Sequence, residues 1–208
     1  MGLNAADLRA GIDALATIEP AFAAAIARVG YPEPRIPERG YATLLRTILG
    51  QQVSVKAADS VWRKLGEQVG DPADPATVAG ASDEGLRACG FSRQKAGYAR
   101  SLADEVTSGR LDLGDLPADD EAAIAQLVRI KGIGRWSAEI YLLFAEGRAD
   151  IWPAGDLAVQ IEVGRILGHD ARPSEALTRE LAEAWRPHRG AAAIFAWHHY
   201  GASGDAPL

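Results

Sequence analysis

One stretch, Leu127 to Asp156, limits the folds open to this chain more than any other: LVRIKGIGRWSAEIYLLFAEGRADIWPAGD. Leu127 and Ile130 close one apolar helix face, Gly132-Ile133-Gly134 makes a turn, and Ala138, Tyr141 and Leu142 resume the 3.6-residue period. The pattern predicts two helices joined by a tight hairpin over about residues 127–145. Glycines on both sides of Ile133 allow positive φ and the close approach of another backbone, while Ile133 pins the turn to the core. The amides of Gly132, Gly134 and the residues after them, up to Ser137, then point out of a helix start, an anion site suited to a phosphate. Lys131 and Arg135 add positive charge there.

Gly-x-Gly alone favours a plainer object, a helix-turn-helix corner with a glycine C-cap. Two additions tip the balance. The run LxxIKGIGRWSA fits the hairpin at every apolar and glycine position, and Pro153-Ala154-Gly155-Asp156 follows the second helix at the distance a neighbouring catalytic group needs. On these residues the chain resembles the helix-hairpin-helix DNA glycosylases, most closely the 3-methyladenine DNA glycosylase II group. The resemblance runs from about Glu19 onward and is strongest in GQQVS, KGIGRWSA and PAGD.

The resemblance implies roles for particular residues. Asp156, in IWPAGDLAVQ, is implied as the catalytic carboxylate. Cleaving an N-glycosidic bond puts oxocarbenium-like charge on the sugar, which a nearby anion stabilises while it positions a water. Without the hairpin upstream, Asp156 reads as an ordinary helix N-cap, and the two roles are compatible. In TILGQQVSVKAA, the loop with Gln51 and Gln52 is implied to enter the DNA minor groove, Gln52 standing where the family places its wedge. Relatives that also cut the strand carry a lysine where this chain has Trp136, which implies a monofunctional enzyme. Trp197, in WRPHRGAAAIFAWHHYG, is implied to stack on the everted base, with Trp136 as a second lining residue and Ile140 in place of a further pocket aromatic. Aromatic faces attract cationic alkylpurines by stacking and cation-π forces.

Composition narrows the field. A single cysteine, Cys89, excludes an internal disulfide and the four-cysteine cage of an iron-sulfur cluster, and in LRACGFS it reads as a small buried residue. The net charge of −6 argues, in bulk, against a nucleic-acid partner. Acids, however, crowd 71–74, 112–121 and 175–183, whereas Arg87, Arg93, Lys95, Arg100, Arg129, Lys131 and Arg135 lie in or near the hairpin lobe. A hairpin that binds phosphate through amides needs few basic side chains, so a shallow salt dependence is expected. No apolar run reaches the roughly 20 residues of a membrane span, and MGLNAADLRAGID lacks the look of a signal peptide, so a cytoplasmic, nucleoid-acting protein is expected. The four histidines show no metal-ligand spacing.

Taken in order, Asn4 caps a first helix, Ala21 to Val29 forms a second, and the proline-rich 31–40 is a linker. Helices follow over 41–49, from Ser54 over 55–68, from Ser82 over 83–89, from Ser92 over 93–108 and over 121–130, with 71–75 an exposed turn and 111–120 a second linker. Beyond Asp156 come helices over 157–167, from Ser174 to Trp185, and from Pro187 to about Tyr200. No alternating strand is found.

The expected fold is therefore all-α in two lobes: a helical barrel over about 40–148 with the hairpin, and a second lobe from 1–39 and 149–208 carrying Asp156, with DNA in the cleft between them. The N-terminal β domain of some relatives is expected to be absent. The expected function is excision of 3-methyladenine and 7-methylguanine from double-stranded DNA by a monomer, leaving an abasic site. Alternatives are a glycosylase for deaminated bases such as hypoxanthine, or a non-catalytic helix-hairpin-helix DNA-binding module. No cofactor is expected beyond a monovalent cation held by backbone carbonyls at the hairpin.

Overall fold

The computed structural model describes residues 3–202, and every regular element among them is helical. In chain order these are α1 (Ala5–Ile18), α2 (Pro20–Val29), α3 (Tyr41–Gly50), α4 (Val55–Gln68), α5 (Pro75–Gly80), α6 (Asp83–Ala88), α7 (Arg93–Thr107), α8 (Asp120–Leu127) and α9 (Arg135–Tyr141). A π turn (Leu142–Glu146), α10 (Leu157–Leu167), α11 (Glu175–Leu181), a 3₁₀ turn (Ala182–Trp185) and α12 (Arg189–Ala202) complete the chain. No helix among the described residues is long and apolar enough to cross a membrane.

The chain divides into two compact units, Glu38–Tyr141 and Met1–Pro37 with Leu142–Leu208. Borders expected at about 40 and 148 fall at 38 and 142. The later border moves because the π turn carries Leu143 onto α12, where a Cβ added to Gly190 would lie 2.7 Å from Leu143 Cδ1.

In the continuous unit, Leu44, Leu45 and Ile48 of α3, Leu65 of α4, Leu86 of α6, Leu102 of α7 and Leu127 of α8 are buried. Burying each such side chain contributes about 1.5–3 kcal/mol. In the discontinuous unit, Leu8, Ile12 and Leu15 of α1 are fully buried. Trp185 there meets Phe22 and Trp152 edge-on, at 5.2 and 5.5 Å between ring centroids. The serine caps read from sequence are made: Ser54, Ser82, Ser92 and Ser174 each accept a backbone amide of the following turn. Each cap is worth about 1 kcal/mol.

Several elements differ from expectation. A turn was expected to end at Pro75, but Asp74 accepts from the Ala76 amide and Pro75 takes the first helical position, so α5 forms. The helix expected from Ser174 to Trp185 tightens to 3₁₀ at Ala182, and the last helix starts at Arg189 rather than Pro187. The first hairpin helix ends at Leu127 rather than Ile130, because the amides of Arg129 and Ile130 close tight turns onto Gln126 and Leu127.

Candidate functional site

The hairpin lies within the continuous unit. Ile133 is buried and its amide donates to the Ile130 carbonyl at 3.0 Å, so the turn is pinned as its sequence suggests. The two glycines differ. Gly132 has φ +85°, and a Cβ there would fall 2.2 Å from the Tyr98 ring, so no other residue fits. Gly134 is not in the left-handed region, and a Cβ on it would meet nothing within 4 Å. The expectation that both glycines serve positive φ is thus corrected: only Gly132 does, and the folded chain itself asks nothing of Gly134. Neither amide has a hydrogen-bond partner among the described residues.

The charges around the turn are not equal either. Lys131 is exposed, and its backbone amide donates to Ser101 Oγ at 3.0 Å. Arg135 donates through Nη1 to Glu121 at 2.8 Å and through Nε to Glu139 at 2.9 Å. Hydrogen bonding to Glu121 is the largest influence; burial opposes it, and the charges of Glu139 and Glu121 add to it, so that the guanidinium pKa is held above its ordinary value. The charge that sequence assigns to Arg135 is largely matched within the protein.

The loop between α3 and α4 is fastened to this turn. Gln51 Nε2 donates to the Gly132 carbonyl at 2.8 Å, and Lys95 Nζ donates to the Leu49 carbonyl at 2.6 Å, closing the end of α3. Burial lowers the pKa of that lysine. Gln52 is exposed at φ +54°, the single non-glycine residue in the left-handed region among those described. Such a backbone costs on the order of 1 kcal/mol and concentrates where a side chain must be aimed. Gln51, Gln52, Tyr98, Gly132, Trp136 and Ser137 line a cavity of about 820 Å³. Trp136 is 48% exposed on it, whereas Ser137 is buried in its wall and Ile140, on the same helix, is half-buried. Tyr98 and the capping role of Lys95 were not legible beforehand. Their i, i+3 spacing on α7 was visible, but not what that face meets.

Asp156 and Trp197 lie in the discontinuous unit, and the structure brings them together. Asp156 caps α10, Oδ1 accepting from the Val159 amide at 3.0 Å, and the same oxygen accepts from Trp197 Nε1 at 3.1 Å. Trp197 stacks on Phe144 of the π turn, 5.7 Å between centroids and 28° between planes. The loop before Asp156 is fixed from beneath. Trp152 Nε1 donates to the Thr178 carbonyl at 3.1 Å, Gln160 Nε2 to the Ala154 carbonyl at 2.7 Å, and Arg172 Nη1 to Gln160 Oε1 at 3.0 Å. Phe144 was missed in sequence because it falls out of phase with the α-helical period, which the π turn resets.

Other candidates take structural places. Cys89 is buried and desolvation raises its thiol pKa. Among the described residues no cluster of His, Cys, Asp or Glu could hold a metal ion.

A family model matches residues 45–187, that of the HhH-GPD superfamily of base excision DNA repair proteins. The chain belongs to that superfamily. DNA-3-methyladenine glycosylase 1 of Schizosaccharomyces pombe is 30% identical over 161 residues, covering 76% of this chain and 71% of the yeast protein. The chain spans only 58% of the length of another curated relative, from Bacillus subtilis, 27% identical over 76% of this chain. A DNA-3-methyladenine glycosidase of Bacillus halodurans matches in structure with a TM-score of 0.86 at 28% identity, covering 94% of this chain and 91% of that one. A 3-methyladenine DNA glycosylase of Schizosaccharomyces pombe, solved with abasic DNA, matches at 0.73 and 26% identity, over 95% of this chain and 99% of that one. The hairpin, the Gln51-Gln52 loop and Asp156 all fall within the segment that matches the HhH-GPD model.

Proposed function

We propose that this HhH-GPD protein is a monofunctional glycosylase that hydrolyses the N-glycosidic bond of alkylated purines, such as 3-methyladenine and 7-methylguanine, in double-stranded DNA. The observation that carries it is the Asp156 carboxylate, oriented by two donors on one oxygen, the Val159 amide and the Trp197 indole. Such a fixed anion stabilises positive charge developing on the sugar without reorganising at the moment of reaction.

An alkylated purine with a positive ring leaves as a neutral base when the C1′–N bond breaks, so its departure needs no proton from the protein. A water positioned by Asp156 then attacks C1′ and passes its proton to that carboxylate, which returns it to solvent, and the product is an abasic sugar. Trp197, braced by Phe144, offers an aromatic face to the cationic base. The open amides of Gly132 and Gly134 take a backbone phosphate, and Lys131 adds charge beside them. Gln52 stands as wedge and Trp136 as a lining aromatic. With Trp136 where an amine would form a Schiff base, the strand is left uncut. Hydrolysis of this kind calls for no cofactor. A monovalent cation held by backbone carbonyls at the hairpin would be structural. The protein acts as a monomer on nucleoid DNA in the cytoplasm.

The test is release of 3-methyladenine and 7-methylguanine from methylated duplex DNA by the wild type and by Asp156→Asn. Release by the wild type alone is expected. Equal release by both would remove Asp156 from the chemistry, and release of hypoxanthine but of neither methylated base would redirect the substrate class.

A further inference from the structure

Helices α10 and α12 are tied at two places. One is the contact of Trp197 Nε1 with Asp156 Oδ1, at 3.1 Å. The other is a pair the mechanism does not use: Glu162 of α10 and His199 of α12, 0% and 1% exposed, joined through Oε2 and Nδ1. On its far side His199 Nε2 meets Arg28 Nη2 of α2, and Glu162 Oε1 accepts from Arg165 Nη1 at 2.8 Å. A guanidinium only donates, so Nε2 of His199 must carry the lone pair and Nδ1 the proton given to Glu162. The orientation of the ring is thus dictated from both sides.

Much of the buried surface of α12 is small, Gly190, Ala191, Ala192, Ala193 and Ala196 contributing few side chains that interdigitate, while Ile194 and Phe195 supply its bulk, the Phe195 ring 6.1 Å from that of His199. A buried, fully satisfied polar pair adds little net stability over an apolar one, but it penalises every arrangement in which it is unmade. Here that penalty falls two residues from Trp197 on one helix and six from Asp156 on the other.

We infer that Glu162 and His199, backed by Arg28 and Arg165, are a positioning pair that fixes α12 against α10 so that the Trp197 indole stays on the Asp156 carboxylate. The effect on rate rests on the proposed function; the effect on geometry does not.

Two variants test it: Glu162→Ala, and the double variant Glu162→Leu with His199→Leu, which keeps the site filled and apolar. The direct readout is the Nε1–H resonance of Trp197 in ¹H–¹⁵N spectra, assigned with Trp197→Phe, with Asp156→Ala marking the position of an indole that has lost its carboxylate. In both variants the resonance is expected to move toward that mark. Base release should slow about tenfold, the cost of a weakened hydrogen bond to a charged group, with KM unchanged. Glu162→Gln, which keeps an oxygen for Nδ1–H, should recover most of both. The double variant decides should Glu162→Ala fail to fold. A double variant with the resonance unmoved and the wild-type rate would reduce the pair to packing and overturn the inference. If the wild-type protein releases no alkylated base, the proposed function fails while the indole signal still decides this point.

Discussion

The hairpin and the Asp156 loop solve opposite problems. The hairpin presents main chain: Gly132 is gripped by the Tyr98 ring and by Gln51, Gly134 lies open, and the nearest guanidinium is held by its own glutamates. The Asp156 loop presents one side chain, and buried Trp152, Pro153 and Ala154 serve to aim it. A grip made of amides is independent of most side-chain identities, so the proposed binding of a polyanion is compatible with a net charge of −6. The proposed chemistry has no such latitude, since it rests on one carboxylate.

The largest expected effect is therefore at Asp156. Asparagine caps a helix as well as aspartate does, so Asp156→Asn should fold normally and bind an abasic-analogue duplex as the wild type does. Its single-turnover base release should fall by about 10²–10³, the scale for removing one preorganised electrostatic group. A loss of binding equal to the loss of rate would mean that the two regions are not separable. Next comes Gly132→Ala. Positive φ for alanine and a clash with Tyr98 should together cost about 3 kcal/mol in thermal or urea unfolding, with DNA binding lost through folding rather than through contact. Wild-type stability in that variant would show that the ring of Tyr98 yields freely.

Much of this was legible in the sequence, and the exceptions have physical causes. The caps at Ser54, Ser82, Ser92 and Ser174 could be read because capping is local: a hydroxyl and an amide within one turn. The hairpin could be read because Leu127, Ile130 and Ile133 repeat with the helical period around two glycines. What failed was everything set by a neighbour remote in sequence. That Gly132 is compulsory and Gly134 is not depends on where the Tyr98 ring lies, thirty-four residues upstream of Gly132. Arg135 was counted as charge for a partner because Glu121 is brought to it only by the turn. Asp156 and Trp197 were each singled out, but the hydrogen bond between them exists only once α10 and α12 pack.

Gly134→Ala sharpens the comparison from the other side. A Cβ there meets nothing in the folded chain, so stability should change only by the small backbone preference of alanine over glycine. Against a phosphate drawn up to the amide, the same methyl is in the way. Duplex affinity should fall about tenfold, roughly the worth of one charge-assisted hydrogen bond, at an unchanged Tm. Unaltered affinity would leave Gly134 without a reason and would weaken the amide grip itself.

The smallest effect separates the two cations beside the turn. Lys131 is exposed, and if it neutralises one phosphate, Lys131→Gln should reduce the slope of log K against log salt by about 0.9, read by titration between low and moderate salt. Arg135 is held to Glu121 and Glu139, the latter only 3% exposed in its side chain, so releasing it toward DNA would leave a buried carboxylate without its cation. Arg135→Gln should accordingly lower stability while leaving the salt slope nearly as it was. Equal loss of slope in both variants would mean that Arg135 exchanges its glutamates for a phosphate on binding. The grip would then rest on side-chain charge after all, and the contrast between the hairpin and the Asp156 loop would narrow to one of degree.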